Sequence, residues 1–384
     1  MTGANLVSES WLIIWLSMAW IGYAYAGYPL MLFALRWFSP LPAPRSAGPE
    51  APLPRVSVIV AVHNGARELA EKLENTLGLD YPSPLEILVS SDGSTDGTIA
   101  IAEGYADRGV IVVAAQERGG KEAAQARAIA RARGDVLVFT DVGARLEPEA
   151  LRNLVRPLLD PGIGSVSSED VVEADGGEGV YVRFEMALRR LESEATTLIG
   201  LSGSLFAVRR ELCTPWPTDL ASDFRVALET VRRGYRAVSE PTARARFRVA
   251  TDPAVEWRRK VRTVRRGIAV LSAHRSLLHP RHGRAAFSIW GHKVARFTAP
   301  FALLALLLGS SIAARTSSFA LALLVMQLIG YAIGSFGLLR GSTANSLPVR
   351  IASFFLLVNA SILVAWAYHL SGQRSVVWNP TQRA

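Results

Sequence analysis

The stretch VSVIVAVHNG (residues 56–65) and the later stretch LEILVSSDGSTDGT (residues 85–98) decide the fold of this chain. Their apolar runs, Val56–Val62 and Leu85–Val89, are short, rich in β-branched residues and bounded by turn residues, which predicts two buried parallel strands. Between them, leucines recur at helical spacing opposite a charged face that includes Lys72. The predicted unit is therefore strand, helix, strand.

Each predicted strand ends in small or polar residues, at His63-Asn64-Gly65 and at Ser91-Asp92-Gly93-Ser94. Ligands of open α/β sheets bind outside the carboxyl ends of the strands, so these two tips are expected to line one crevice. A carboxylate beside flexible glycine backbone suits a nucleoside, which makes Asp92 a candidate nucleotide-binding residue.

Two later segments carry groups that suit a diphosphate. The strand Val136–Thr140 delivers Asp141 at its tip, and Mg²⁺ or Mn²⁺ can be held by few protein carboxylates together with phosphate oxygens. The alternative is an ordinary aspartate that ends a strand. Gly119-Gly120-Lys121 opens a helix, where a lysine and backbone N–H groups can meet a phosphate. Taken alone, this segment fits a plain surface lysine equally well.

The chain of 384 residues is 50% hydrophobic, with a mean hydropathy of +0.22, and its apolar excess lies at the two ends. A membrane-spanning helix needs about 20 apolar residues, and the first apolar run is too long and too poor in positive charge for a cleaved signal peptide. Buried core helices are the alternative, but four such runs exceed what one soluble domain needs. The candidate spans are Trp11–Phe38, Phe297–Ala314, Ser318–Leu339 and Leu347–Leu370.

Basic residues gather on one side of these spans. Arg36 and Arg55 follow the first span, and Lys293 and Arg296 precede the second. Because cytoplasmic loops carry an excess of Lys and Arg, residues of about 40 to 290 are predicted to lie in the cytoplasm. The protein is then expected to be a multi-pass protein of the cell membrane, with both termini outside.

Composition also bounds the compartment, the partners and the organisation. The lone Cys213 excludes an intramolecular disulfide and fits a reducing compartment. No nucleic-acid partner is expected, because no recognition module accompanies the formal charge of +9. The predicted organisation is a membrane helix (1–39), a proline-rich linker (40–54), an α/β catalytic domain (55–250), basic amphipathic helices (251–296), three membrane helices (297–372) and a tail (373–384).

The motifs VIVAVHN, SDGSTDGT, GGKEAAQARAIARARGDVLVFTD and EPEAL together resemble the inverting glycosyltransferases of family 2. The likeness runs from about Val56 to Gly267, and the flanking spans are similar to the membrane-bound branch that includes cellulose, chitin and hyaluronan synthases. The resemblance implies an α/β fold of the GT-A type, a Rossmann-like nucleotide-sugar domain inserted between about four membrane helices.

The resemblance also implies roles for residues already singled out. Asp92 would contact the uracil or ribose of the donor, Lys121 would lie near its phosphates, and Asp141 would carry Mg²⁺ or Mn²⁺. Members usually have Asp-x-Asp at the metal strand, whereas Gly143 takes the second place here. The residues at the tip of the first strand that are also assigned to donor binding are Val62, His63 and Asn64.

A sugar hydroxyl is a poor nucleophile until a base removes its proton. The segment from Asp219 to Arg236 resembles the acid-plus-helix motif of the family, and Asp223 holds the place of the catalytic base. Asp223 is alternatively a helix N-cap, and Asp219 is the fallback acid. Just upstream, a turn of small residues is implied to form the floor for the acceptor; its candidate contacts are Ser202, Gly203 and Ser204.

The basic segment Glu256–Gly267 offers Arg259 and Arg262 at the Gln and Arg places of the family's Gln-x-x-Arg-Trp motif, where Thr263 replaces Trp. Arginines here can bridge the leaving diphosphate, or the helix can lie against anionic lipid headgroups. Both roles fit one helix, because its faces differ. The missing tryptophan leaves processive synthesis open.

The expected function is therefore a membrane-anchored inverting glycosyltransferase for exopolysaccharide biosynthesis. A nucleotide sugar, a UDP-hexose or UDP-N-acetylhexosamine, would be the donor, and a lipid-linked sugar or growing polysaccharide the acceptor. Two alternatives stay open: a polyprenyl-phosphate glycosyltransferase, and a non-catalytic nucleotide-sugar-binding subunit of an export complex.

Overall fold

Among the described residues, eight strands form one mixed sheet. Long apolar helices precede this sheet and follow it along the chain. The computed structural model describes residues 3–44, 48, 51–172, 177–247, 253–340 and 346–373. The strands are Val56–Val62 (β1), Leu85–Asp92 (β2), Val110–Ala115 (β3), Val136–Asp141 (β4), Arg145–Leu146 (β5), Ile163–Val172 (β6), Leu205–Arg209 (β7) and Arg236–Phe247 (β8).

The strand order β3-β2-β1-β4-β7-β6-β8-β5 divides the sheet into two parts. β3, β2, β1 and β4 are parallel neighbours, whereas β7 runs antiparallel to β4 and to β6. The predicted strand–helix–strand unit is confirmed, and the register brings Val62 opposite Ser91 and Ala61 opposite Asp141. The carboxyl ends of β1, β2 and β4 therefore meet at one edge, as the parallel order requires.

Helices cover both faces of the sheet, so every residue of β1 is buried. Val58 and Val60 face one core and Ile59 faces the other, following the two-residue period of a strand. The helices of this region are Ala66–Leu77 (α3), Thr98–Glu103 (α4), Lys121–Arg131 (α5), Ala150–Val155 (α6), Gly177–Ala195 (α7) and Ser222–Arg232 (α8).

Lys72 of α3 departs from the prediction. The alternation of charges places it on the solvent face, yet its side chain is fully buried. Its Nζ donates to Thr140 Oγ1 (2.9 Å) and to the carbonyl of Ala144 (2.8 Å). Burial, together with the charge of Arg145, lowers the pKa of Lys72 to about 7. Lys72 thus fastens α3 to the end of β4.

Within the described residues, four helices are long and apolar enough to cross a membrane, as predicted: Ser8–Phe38, Arg284–Ala313, Ser318–Arg340 and Leu347–Leu370. The first span begins inside Gly3–Gly22 (α1) and continues through a π-helical turn into Tyr28–Phe38 (α2). The second begins earlier than the predicted Phe297, because Arg284–Ser288 (α10) continues through a π-helical segment into Ala295–Ala313 (α11). The last two are α12 (Ser318–Arg340) and α13 (Leu347–Leu370).

The helix α9 (Pro253–Ala273) connects the sheet domain to these apolar helices. Its Val264 and Ile268 pack against Ile362 and Ala365 of α13, which leaves its arginines on the other faces. Parts of the predicted linker (45–47 and 49–50) and most of the predicted tail (374–384) lie outside the described residues.

Gly134 lies where α5 leads into β4, against the backbone of β1. A Cβ on Gly134 would come within 2.4 Å of Ser57 N and 2.7 Å of Val56 C, and this backbone cannot turn aside as a side chain would. We therefore expect Gly134→Ala to destabilise the protein by about 1–3 kcal/mol, which lowers the thermal unfolding midpoint by roughly 2–10 °C.

Unfolding of purified protein in detergent, followed by circular dichroism, measures this loss. Gly97→Ala is the matched control, because a Cβ there meets only Ala66 Cβ at an ordinary 3.8 Å. Equal midpoints for the two variants would contradict the close packing of Gly134.

Candidate active site

A cavity of about 680 Å³ opens where the end of β4, the start of α8 and one side of α9 meet. Three residues assigned to the reaction lie in its wall: Lys121, Asp141 and Asp223. The cavity does not stop there, because α7 and α13 line its continuation toward the apolar helices. Five further predicted residues also contribute to the wall or border it: Gly203, Ser204, Arg259, Arg262 and Gly143.

Lys121 and Asp141 form an ion pair at the polar end of this cavity. Nζ of Lys121 lies 2.6 Å from Asp141 Oδ1, and both side chains are largely shielded from solvent. Burial alone would lower the pKa of Lys121, but the charges of Asp141 and, next, Asp223 outweigh it and raise that pKa. Lys121 therefore stays protonated between two carboxylates, where it can meet an anionic group.

Asp92 is engaged by the turn that precedes Lys121. Its carboxylate is fully buried and accepts hydrogen bonds from the backbone N–H of Gly119 and of Gly120, each at 2.8 Å, and from Arg127 at 3.1 Å. Gly120 has φ +92°, which glycine adopts without strain. These hydrogen bonds tie Asp92 to the glycine turn that presents Lys121.

The tips of β1 and β2 are joined to each other at the predicted edge. His63 Nδ1 lies 2.7 Å from the carbonyl of Asp92, and the backbone N–H of Thr95 donates to Asn64 Oδ1 at 2.8 Å. Val62 is fully buried. Among the described residues, Val62, His63 and Asn64 lie beside the cavity rather than in its wall.

Asp223 occupies the first turn of α8, whose N-cap position is Ala221. The N-cap alternative for Asp223 is therefore wrong. Its Oδ1 accepts from the N–H of Phe224 (2.8 Å), and a Cβ on Gly203 would lie 3.2 Å from Oδ2. The carboxylate thus borders the small-residue turn directly. The fallback acid Asp219 is exposed and, among the described residues, lies outside the cavity wall.

The turn from Gly200 to Ser204, called here the acceptor turn, links the parts of the site. The carbonyl of Ser204 accepts from Asp141 N (3.2 Å) and Thr140 Oγ1 (2.9 Å), which ties the turn to the tip of β4. Ser202 faces away, because it is fully buried and donates to Asp170 Oδ1 at 2.5 Å. Of the three predicted acceptor residues, Gly203 and Ser204 line the cavity.

Arginines of α9 form the wall opposite β4. Arg259 is paired with Glu256 at 2.7 Å, and Arg266 pairs with the buried Glu122. Burial, followed by the charges of Arg266 and Arg259, lowers the pKa of Arg262. Arg259, Arg262 and Arg266 therefore bring positive charge to this wall of the cavity, which suits an anionic ligand.

One group of charged residues was not predicted as part of the site. Glu185 and Arg189 of α7 lie beside His292, Lys293 and Arg296, in the wall of the same cavity. We call these five residues, together with Glu192, the buried ion cluster. Lys293 and Arg296 were predicted only as basic residues before the second span, within the amphipathic segment 251–296, and Glu185 and Arg189 were given no role. Their spacing was the available signal, since pairs four residues apart share one face of a helix.

Glu185 is central to this cluster, with His292 Nε2 and Arg296 Nη1 each 2.8 Å from its carboxylate oxygens. Burial would raise the pKa of Glu185, but the charges of His292, then Arg296, outweigh it and hold that pKa well below its usual value. The ionised carboxylate therefore stabilises the folded state at pH values above about 4.3, the pKa of an unfolded chain. That contribution is lost as the pH falls further, through the lowered pKa of the folded state.

We expect Glu185→Gln to lower the free energy of unfolding by about 3–5 kcal/mol at pH 7, because it leaves buried cations uncompensated. The difference from the wild type should be constant between pH 5 and 8 and should shrink below about pH 4. Glu194→Gln, on the same helix but in an exposed pair with Arg36, should cost about 1 kcal/mol or less. Denaturant unfolding across this pH range measures both, and a difference that grows on acidification would contradict the assignment.

No group of three or more His, Cys, Asp or Glu side chains that could hold a metal occurs within the part of the chain that the structure describes. Asp141 offers its carboxylate at the polar end of the cavity, beside Lys121. A cation that takes most of its ligands from phosphate and water fits such a site. Cys213 is buried, which raises the pKa of its thiol to about 12, so it is not a nucleophile.

Comparison with known proteins agrees with this geometry. Residues 57–214 match the family described as Glycosyl transferase family 2. The solved structure of mannosyltransferase PcManGT from Pyrobaculum calidifontis, in complex with GDP-Man and Mn²⁺, is similar with a TM-score of 0.73 and 26% identity, over 94% of this chain and 100% of that one.

Two curated relatives are similar over a smaller share of their length. An N-acetylglucosaminyltransferase of Azorhizobium caulinodans is 26% identical over 55% of this chain and 59% of the relative. A poly-beta-1,6-N-acetyl-D-glucosamine synthase of Staphylococcus aureus is 25% identical over 56% of this chain and 55% of the relative. The chain thus spans somewhat more than half of these relatives. The segment 57–214 is thus a glycosyl transferase family 2 domain, and it lies within a mixed sheet of the GT-A type that four apolar helices flank among the described residues.

Proposed function

We propose that this protein is a membrane-anchored, inverting glycosyltransferase that moves a sugar from a nucleoside diphosphate sugar to a hydroxyl of a lipid-linked acceptor. One observation carries the proposal. A single cavity joins Lys121, Asp141 and Asp223 to a space between the apolar helices. A hydrophilic donor and a membrane-bound acceptor can therefore meet beside the same carboxylate.

The donor diphosphate is assigned to the end of the cavity where Lys121, Arg259 and Arg262 supply positive charge. Asp141 would share a divalent cation with the diphosphate oxygens, and such an ion neutralises charge on the leaving group. Nζ of Lys121, at 2.6 Å from Asp141 Oδ1, places a positive charge beside that carboxylate. The complex of PcManGT with GDP-Man and Mn²⁺ supports a nucleotide sugar with Mn²⁺, and it widens the expected donors from UDP-sugars to GDP-sugars.

In the proposed reaction, the acceptor hydroxyl lies over Gly203, next to Asp223. Its oxygen forms the new bond to the anomeric carbon from the side opposite the diphosphate. The bond from that carbon to the diphosphate oxygen breaks, and the nucleoside diphosphate leaves with the electron pair. Asp223 accepts the hydroxyl proton, which is the role of a general base. One displacement inverts the anomeric configuration.

The catalytic domain is proposed to lie in the cytoplasm, where nucleotide sugars are made, because basic residues gather on that side of the spans. Single cysteines introduced in a Cys213→Ser background test this orientation. A thiol reagent that cannot cross the membrane should label a cysteine at Arg315 in whole cells and should not label one at Arg108. The opposite pattern would reverse the orientation.

A polyprenyl-phosphate acceptor, in which a phosphate oxygen is the nucleophile, remains the second candidate. The observation that favours it is the group of buried cations beside the acceptor turn. Such an acceptor needs no strong base, so Asp223→Asn would keep much of its activity. The base-dependent reaction predicts the reverse.

Turnover assays on the full-length protein in lipid nanodiscs test the proposal. UDP-glucose, UDP-N-acetylglucosamine and GDP-mannose are each supplied with Mn²⁺ or Mg²⁺ and a lipid extract from membranes. One donor should release its nucleoside diphosphate, and its labelled sugar should extract into organic solvent. Nucleotide binding without turnover would favour the non-catalytic subunit, and no binding of any nucleotide would overturn both.

A further inference from the structure

The cavity has a second compartment beyond the acceptor turn, among the apolar helices. Its wall on the α13 side is apolar apart from Asn359, and α13 is one of the four described helices able to cross a membrane. This part, called here the membrane-side compartment, therefore lies at the depth of lipid chains. Its defining residues are Phe184, Ile351, Phe354, Phe355, Val358 and Ile362.

The buried ion cluster separates this compartment from the reaction centre. Arg189 Nη2 lies 3.5 Å from the carbonyl of Leu201, and a Cβ on Gly200 would lie 3.4 Å from Lys293 Nζ. The cluster therefore touches the beginning of the acceptor turn. At the end of that turn, the carbonyl of Ser204 accepts a hydrogen bond from the backbone N–H of Asp141. The turn therefore runs from the cluster to the proposed diphosphate end.

The cations of the cluster have unused hydrogen-bonding capacity. Within the described part of the chain, Nε and Nη1 of Arg189 and Nε and Nη2 of Arg296 are buried without hydrogen-bond partners. Arg296 is only 8% exposed, and it lines the cavity. Buried charged donors without acceptors are costly, and a phosphate offers several acceptor oxygens in the geometry that arginine favours.

The balance of charge also favours an anion. Arg189, Lys293 and Arg296 bring three cations against two carboxylates, those of Glu185 and Glu192. His292 lies between these carboxylates, 2.8 Å from an oxygen of each. Its imidazole is neutral or positive, so it does not offset the excess of cations. The cluster is therefore net positive in a place shielded from water.

This anion site is distinct from the one assigned to the donor. Lys121 and Arg262 serve the diphosphate end, whereas Lys293 lies at the other end of the acceptor turn. Fully extended, the chain from Gly200 to Ser204 reaches at most about 14 Å, which is the upper limit on the distance between the two ends of the acceptor turn.

We propose that the acceptor is a sugar joined through a phosphate or diphosphate to a long hydrocarbon chain. Its phosphate binds Arg189, Lys293 and Arg296, its chain occupies the membrane-side compartment, and its sugar hydroxyl faces Asp223. This inference rests on the proposed glycosyltransferase function and narrows the acceptor class. It excludes uncharged glycerolipids and free glycans as the preferred acceptor.

Binding of three probes to the full-length protein in detergent tests the inference, with EDTA present so that no metal recruits a diphosphate to the donor end. Farnesyl diphosphate carries the phosphate and the chain, farnesol only the chain, and inorganic diphosphate only the anion. Thermophoresis should give a dissociation constant for farnesyl diphosphate at least about 10-fold lower than for either fragment. Lys293→Met and Arg296→Gln should each weaken it about 10-fold, the loss of a hydrogen bond between charged groups.

Lys293→Met keeps the test valid if Arg296→Gln, which loses the pair with Glu185, fails to fold. Arg315→Gln, an exposed arginine after α11, is the matched control and should bind as the wild type does. If farnesol bound as tightly as farnesyl diphosphate, the phosphate site would be overturned. If inorganic diphosphate bound as tightly as farnesyl diphosphate, the lipid site would be overturned. Unchanged binding by Lys293→Met would overturn the cluster.

Nucleotide binding separates this inference from the proposed function. In the presence of Mn²⁺, Lys121→Met should weaken binding of the nucleoside diphosphate about 10-fold and leave farnesyl diphosphate binding in EDTA within about 2-fold of the wild type. If the protein binds nucleotide but no lipid diphosphate, the inferred acceptor class is wrong and the proposed function stands. A protein that binds lipid diphosphate but no nucleotide would sink the proposed function.

Discussion

Asp223→Asn is expected to lower the transfer rate by about 10²–10⁴-fold, the range that a positioned general base contributes. The amide keeps the shape of the side chain and can still accept from Phe224 N–H, but it cannot take the hydroxyl proton. Affinity for the nucleotide should stay within a few-fold of the wild type, because the diphosphate is assigned to Lys121, Asp141 and Arg262. Transfer of labelled sugar into lipid and equilibrium nucleotide binding measure the two effects.

Asp219→Asn is the matched control for this variant. Asp219 lies four residues upstream, and its side chain is exposed, so the transfer rate should not change. Full activity of Asp223→Asn would move the base elsewhere and favour a phosphate nucleophile. Equal losses in nucleotide affinity and transfer rate would instead indicate a disturbed donor site.

Asp141→Asn is expected to lower the transfer rate by at least about 100-fold, the loss typical when one group that stabilises developing charge is removed. Two effects combine. The amide is a much weaker ligand for a divalent cation, and Lys121 loses the carboxylate that lies 2.6 Å from its Nζ. The concentration of Mn²⁺ needed for half-maximal activity should rise correspondingly, and a titration with Mn²⁺ and Mg²⁺ measures it.

Asp135→Asn provides the comparison for Asp141→Asn. Asp135 precedes the same strand at its opposite end, and it pairs with the exposed Arg55 at 3.1 Å. Its loss should leave both the transfer rate and the metal dependence unchanged. If Asp141→Asn kept its rate without any shift in the Mn²⁺ titration, a metal held by Asp141 would be excluded from the reaction.

The α/β unit could be predicted from local patterns alone. Val56–Val62 is an uninterrupted apolar run because helices cover both sides of β1, and such a run is visible without any tertiary contact. The four apolar helices could also be predicted locally, since length and composition suffice to recognise a membrane-spanning helix. Asp141 at the tip of its strand and Asp223 in the first turn of its helix follow from these elements.

Lys72 and Asp92 have surroundings that local patterns do not reveal. A lysine on the polar face of an amphipathic helix is ordinarily exposed, but the end of β4 and the loop after it each provide one acceptor for the Nζ of Lys72, the hydroxyl of Thr140 and the carbonyl of Ala144. Asp92 ends its strand as predicted, yet the glycine turn folds over its carboxylate and takes its hydrogen bonds. Each outcome depends on a segment distant in sequence, which no local window contains.

The sequence by itself determined the strand–helix–strand unit, the apolar spans and the carboxylates at the strand and helix ends, because these depend on the periodicity of neighbouring residues. Only the tertiary structure decided that Glu185 and Arg189 meet Lys293 and Arg296 beside the acceptor turn. About one hundred residues separate the two helices, and only their packing removes these charges from water. That packing creates an anion site which neither segment possesses alone.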